Sequence, residues 1–152
     1  MFKRAFSSTI ASRGLYKDYI AKLTPTVKQI SLAGLKQKIA ADPIHGPPKT
    51  FHLLDVRETY EWNEDHIPFA TYTGRGNLER DIQQIVPDVH DEIVLYCAGG
   101  FRSIIAADTL TKMGYKNVYS LKGGIGAWKN EGNHIVTNQV VYSDRVEYGK
   151  PE

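Results

Sequence analysis

The chain alternates, and that alternation constrains its fold more than any other feature. Short apolar runs suited to buried strands trade places with helix signals from Pro25 to about residue 130. Val27–Ile30 reads as a strand, and Ser31 caps a helix whose apolar face is Leu32, Leu35 and Ile39. The turn-rich stretch DPIHGPPK (42–49) ends it. Phe51-His52-Leu53-Leu54 is a second strand, delivering Asp55-Val56-Arg57-Glu58 at its carboxyl end. Residues 58–65 read as helical with Pro68 closing them, Phe69–Thr73 as a further strand, and Leu78–Val86 as a helix after GRGN (74–77). Glu92–Tyr96 is the plainest buried strand, and it runs straight into Cys97-Ala98-Gly99-Gly100-Phe101-Arg102. A helix is expected from about Ser103 to Met113, with Ile105, Ala106, Leu110 and Met113 inward and Gly114 as its stop. Val118–Leu121 is a last strand, followed by a Gly123-Gly124 turn and a short helix over Ile125–Asn130. Alternating βα units predict an α/β fold with a mainly parallel sheet covered on both faces. Ligands in such sheets sit beyond the carboxyl ends of the strands, where Cys97 falls.

Composition removes several alternatives. At 152 residues the chain is expected to hold one domain, and no run of about 18 apolar residues offers a membrane span. One cysteine excludes a disulfide framework, a CxxC redox pair and a zinc ribbon. The five histidines (45, 52, 66, 90 and 134) lack metal-site spacing, so no metal is expected. GGIG (123–126) lacks the order and the acidic partner of a dinucleotide fingerprint, and no cofactor is expected. A net charge of +2 is too small for a nucleic-acid binder, and it is unevenly spread. Lys3, Arg4, Arg13, Lys17 and Lys22 face only Asp18 in residues 1–24, so that stretch carries +4 and the remainder −2. Ser7, Ser8, Thr9 and Ser12 lie among Phe2, Phe6 and Ile10, whose i, i+4, i+8 spacing gives a helix one apolar and one cationic face. Residues 1–24 therefore read as a mitochondrial transit peptide, with delivery to the matrix, residues 25–132 as the domain, and 133–152 as a tail. The tail holds valine and tyrosine but no helix signal, and either an extended edge segment or a mobile end fits it.

The chemistry centres on Cys97. It ends a core strand, opens a loop containing Gly99 and Gly100, and precedes a helix N-terminus, while Arg102 adds a permanent cation. Glycines let backbone N–H groups turn to one point, and helix dipole and arginine both favour the thiolate. A nest of amides also suits an incoming anion. A histidine-assisted hydrolase finds only His66 and His90, neither with a supporting signature, and disulfide exchange has no resolving cysteine. Attack on phosphate and attack on sulfane sulfur remain. The spacing is Cys-X4-Arg with Ser103 next, whereas a phosphatase cradle uses Cys-X5-Arg to surround a tetrahedral phosphate. The shorter loop encloses roughly one added sulfur atom, which favours sulfur transfer.

Four segments give the chain a family resemblance over about residues 27–132: LLDVRETYEWNEDHIPFA (53–70), GRGNLERDI (74–82), VLYCAGGFRSIIAADTLTKMGYKNVYSLKGG (94–124) and GGIGAW (123–128). Together they resemble the single-domain rhodaneses (thiosulfate sulfurtransferase-like proteins). Asp65 and Phe69 depart from the pattern, standing where the family commonly has glycine. The resemblance implies a three-layer α/β/α rhodanese-like fold with a mainly parallel five-stranded sheet. It implies that Cys97 takes sulfane sulfur from a small donor such as thiosulfate, stores it as a persulfide, and yields it to cyanide or a cellular thiol. The loop Ala98, Gly99, Gly100, Phe101, Arg102 and Ser103 would hold the outer sulfur, with Arg102 favouring an anionic donor and Ser103 capping the following helix. Asp55 and Arg57 would be a buried pair bracing that loop; Arg75 reaches the pocket rim or lies in solvent; Trp62, His66 and Trp128 pack. The alternative is a persulfide carrier or rhodanese-like module that delivers sulfur to a protein partner. The neutral rim of Ala98, Gly99, Gly100 and Phe101 leaves a glutathione persulfide donor open.

Overall fold

The computed structural model describes residues 14–41 and 50–137. Seven strands and six α-helices follow one another: α1 (Leu15–Leu23), β1 (Lys28–Ile30), α2 (Leu32–Ala41), β2 (His52–Asp55), α3 (Thr59–Glu64), β3 (Asp65–His66), β4 (Thr71–Tyr72), α4 (Leu78–Ile85), β5 (Glu92–Tyr96), α5 (Phe101–Met113), β6 (Asn117–Leu121), α6 (Gly124–Asn130) and β7 (Val136–Thr137). Five strands form one sheet in the order β1-β6-β5-β2-β4, every pairing parallel. β5 is therefore central, with β2 and β6 beside it, and Cys97 leaves the sheet from its middle.

Both faces of the sheet are buried, which is why its strands are apolar on both sides. Along β5 the residues alternate. Ile93, Leu95 and Cys97 join Leu78, Ile82, Ala106 and Leu110 of α4 and α5. Val94 and Tyr96 join Leu35, Ile125 and Trp128 of α2 and α6. The α/β/α layering with a parallel five-stranded sheet follows directly. Ser31 caps α2 as expected, its Oγ accepting from Gly34 N–H at 3.0 Å. The turn-rich stretch 42–49 lies outside the described residues.

Several local expectations are corrected. α5 begins at Phe101, because Gly100 takes φ +94° and supplies the N-cap position that Ser103 was expected to fill. Ser103 thus lies within the first turn of α5, and the register turns with it. Ile104 and Ala107 point into the core, while Ile105 is half-exposed and Met113 exposed. The strand expected over Phe69–Thr73 shortens to Thr71–Tyr72. Phe69 holds a left-handed φ of +63°, a conformation that a strand cannot contain and that explains why glycine suits that position. The helix over 58–65 stops at Glu64, because Asp65 and His66 pair antiparallel with Thr137 and Val136 of the tail. That pairing decides for the extended form as far as Thr137, and the Trp128 indole N–H donates to the His134 carbonyl at 2.7 Å. Residues 1–13 of the expected leader are outside the described set, while its described part, α1, packs on α5 with Ile20 buried.

Candidate active site

The loop from Cys97 to Gly100 is fixed from two sides. The Val56 N–H donates to the Tyr96 carbonyl at 3.0 Å, tying the end of β5 to the turn after β2. The N–H groups of Ile125 and Gly126 donate to the carbonyls of Cys97 and Ala98 at 2.9 and 3.0 Å, tying the loop to α6. Gly124 makes this approach possible: it has φ +55°, and a Cβ there would overlap the Cys97 carbonyl oxygen. With its carbonyls taken by α6, the loop turns N–H groups to the other side. There the Gly100 N–H donates to Cys97 Sγ at 3.2 Å. The first-turn amides of α5 follow it and have no acceptor within the helix. Cys97 itself is 1% exposed and free, so its sulfur sits at the floor of the loop.

Two buried hydroxyls lie beneath it. Ser103 Oγ is 3.6 Å from Cys97 Sγ and 2.8 Å from Ser120 Oγ of β6. Ser103 is therefore no cap: its hydroxyl turns inward and bridges the Cys97 sulfur to the sheet. Ser120 has no place in the sequence reading, since an isolated serine in a strand carries no motif.

Arg102 lies in the first turn of α5, five residues after Cys97. Its guanidinium is already engaged, by Glu61 of α3: Nη1 donates to Oε2 at 2.6 Å and Nη2 to Oε1 at 2.8 Å. This bidentate geometry is the strongest that an arginine and a carboxylate make. Hydrogen bonding to Arg102 holds Glu61 below the usual carboxylate range, and the same bond raises Arg102. Glu61, like Ser120, is a residue at this site that sequence reasoning missed. It also completes a capping box at the start of α3 with Glu58 three residues earlier, both reciprocal bonds being present. Nothing in the sequence links it to a partner 41 residues away.

Asp55 and Arg57 form the expected buried pair. Asp55 accepts from Arg57 N and Nε at 2.9 and 3.0 Å through Oδ1, and from Nη2 at 2.7 Å through Oδ2. Arg57 also donates to the Asp65 carbonyl and lies over the Tyr96 ring. Burial first, and then Asp55, push the Tyr96 hydroxyl well above the tyrosine range. The residue preceding Cys97 is thus locked into this neutral-plus-paired cluster. Asp65, one of the two departures from the family pattern, joins it by pairing with Arg57 and with Lys129 of α6. Arg75 is held elsewhere, by Glu79 at 2.6 Å and by Thr109 of α5 at 3.3 Å. Thr109 lies seven residues along α5 from Arg102, or about 10 Å at helical rise. Trp62 stacks on His66 with ring centroids 3.7 Å apart, and Trp128 is buried, so all three pack as expected.

Residues 31–131 match the Rhodanese-like domain family. Among similar proteins, one named "Putative sulfurtransferase YtwF" from Bacillus subtilis is 35% identical over 105 residues, covering 69% of this chain and 93% of its own length. A second, "Putative sulfur carrier protein YrkF" from the same organism, is 33% identical over 111 residues; these are 73% of this chain but only 56% of that protein. A solved structure from Rhodopseudomonas palustris, described as of unknown function and a possible tyrosine phosphatase, aligns with TM-score 0.71 at 26% identity. It covers 90% of this chain and 99% of that one.

Proposed function

The chain belongs to the rhodanese-like domain family, and from that premise we propose that it is a sulfurtransferase working through a Cys97 persulfide. The observation that carries the proposal is the floor of the loop, where Gly100 N–H meets Cys97 Sγ at 3.2 Å beside the unpaired first turn of α5. In the first step the Cys97 thiolate attacks the sulfane sulfur of a donor. A new S–S bond forms at Sγ, the donor's own bond to that sulfur breaks, and its electron pair leaves with the departing group. In the second step an acceptor nucleophile, a thiolate or cyanide, attacks the outer sulfur and frees the Cys97 thiolate. Storing the sulfur covalently divides one transfer into two smaller steps. The loop amides stabilise charge on the outer sulfur without reorganising.

A phosphate-ester reading fits the site less well. Four residues separate Cys97 from Arg102, and Arg102 is bound by both Glu61 oxygens. The carrier reading, in which a protein partner takes the sulfur, uses the same persulfide and differs only in the acceptor. Steady-state turnover of a donor with cyanide, for wild type beside Cys97→Ser, tests the proposal. Thiocyanate formation by wild type alone is expected of an enzyme. A persulfide that forms on Cys97 but transfers poorly to small acceptors is expected of a carrier. Equal turnover by Cys97→Ser would refute both.

A further inference from the structure

Resting on the sulfur-transfer reading, we propose that Glu61 selects the donor: it directs Cys97 to sulfane sulfur carried on a thiol, a hydropersulfide, and away from thiosulfate. The segments that follow β2, β4 and β5 each bring an arginine: Arg57 and Arg75 in loops, and Arg102 in the first turn of α5. Each already has a carboxylate. Arg57 holds Asp55, Arg75 holds Glu79, and Arg102 holds both oxygens of Glu61. Of the three, only Arg102 flanks the loop of Cys97, and Glu61 meets its guanidinium edge with 2.6 and 2.8 Å bonds.

The two donor classes place different demands on that arginine. Thiosulfate arrives as a dianion, and when Cys97 thiolate takes its outer sulfur the S–S bond breaks with sulfite dianion as leaving group. The transferred sulfur keeps one negative charge as Cys97–S–S⁻, and two negative charges leave on sulfite. To bind Arg102 thiosulfate must displace Glu61, or else lie beside an ionised carboxylate, and like charges at such range are costly. A hydropersulfide, RS–SH, makes no such demand. Cys97 thiolate attacks the terminal sulfur, Cys97–S–SH forms, the RS–SH bond breaks, and the pair leaves as the monoanion RS⁻, which takes a proton from water. Sulfane sulfur changes carrier, and no external oxidant or reductant enters.

Glu61→Gln tests this. Glutamine keeps the side-chain length and an oxygen to accept the Glu58 N–H, so the start of α3 is preserved while the charge is removed. The readout is the single-turnover rate at which Cys97 gains the mass of one sulfur atom, with thiosulfate and with glutathione persulfide as donors. Wild type is expected to load at least about tenfold faster from the persulfide. Glu61→Gln is expected to move the ratio about tenfold toward thiosulfate, the scale of one charge-assisted contact. An unchanged ratio, with both donors loading, overturns the role of Glu61 and leaves the sulfurtransferase reading standing. If the variant does not fold, the wild-type ratio decides: faster loading from thiosulfate overturns the inference, and the stated preference for the persulfide sustains it. Loading of wild type from neither donor defeats the sulfur-transfer reading, and this inference with it.

Discussion

His66 is buried against Trp62, and burial holds its pKa below the ordinary histidine value. In the unfolded chain the imidazole returns to about 6.5 and takes up a proton first as pH falls. The unfolded state then binds more protons than the native one, so stability declines as pH drops below about 6.5 and is fully retained above it. Denaturant melts of wild type and His66→Gln between about pH 8 and 5 check this, and the variant should lose part of the acid-side slope. An identical slope in both would assign the acid sensitivity to other groups. Other single residues show what a sequence can hold at this scale. Cys97 is legible because it ends a strand ahead of a glycine-containing loop, and the Asp55–Arg57 pair through the family resemblance of the segment around it. Glu61 and Ser120 are not, since their partners Arg102 and Ser103 lie 41 and 17 residues away and only the packing brings them together. Phe69 is a departure that the structure explains only in part. Its left-handed backbone accounts for the family's glycine, and its ring lines a cavity of about 480 Å³ with Pro68, Ile39 and Trp128.

At the level of elements, the loop from Cys97 to Gly100 belongs as much to α6 as to β5 and α5. Hydrogen bonds from Ile125 and Gly126 hold its carbonyls, and Gly124 leaves room for them. Gly124→Ala should therefore cost about 2–4 kcal/mol, from overpacking and left-handed strain combined. It should also slow sulfur loading of Cys97 in whatever fraction stays folded. Chemical denaturation measures the first effect; a loss under about 0.5 kcal/mol would mean that the loop and α6 part without penalty, against the geometry described above. The strand and helix order was readable because strand runs and helix faces differ in period, and the buried faces of β5 made its strand unmistakable. Element starts were less readable. Capping preference points to Ser103, but a glycine with positive φ at position 100 starts α5 two residues earlier and turns that serine into the site. Antiparallel pairing of β7 with β3 was similarly hidden, because a two-residue ladder has no periodicity of its own.

Over the whole molecule, the sheet and its two helical layers place one thiol at the centre of the parallel edge, as the doubly covered architecture requires. The fold extends past residues 25–132 on both sides. α1 packs on α5 before it, and β7 pairs with β3 after it. α1 also borders a cavity of about 330 Å³, in which Tyr16, Ile20 and Thr24 meet Phe101, the first residue of α5. α1 is not legible in the sequence, since it lies in a stretch whose basic and hydroxyl-rich composition dominates its apolar face, whereas an extended segment after residue 132 is one of the two forms the tail allows. Under the proposed function this architecture serves one transferred sulfur atom. Intact-mass spectrometry of the full chain, after exposure to glutathione persulfide and then to cyanide, follows that atom directly. The Cys97 persulfide mechanism requires one added sulfur on wild type, none on Cys97→Ser, and release of that sulfur as thiocyanate in equal amount. A wild-type chain that gains no sulfur on Cys97 from the persulfide or from thiosulfate would contradict it.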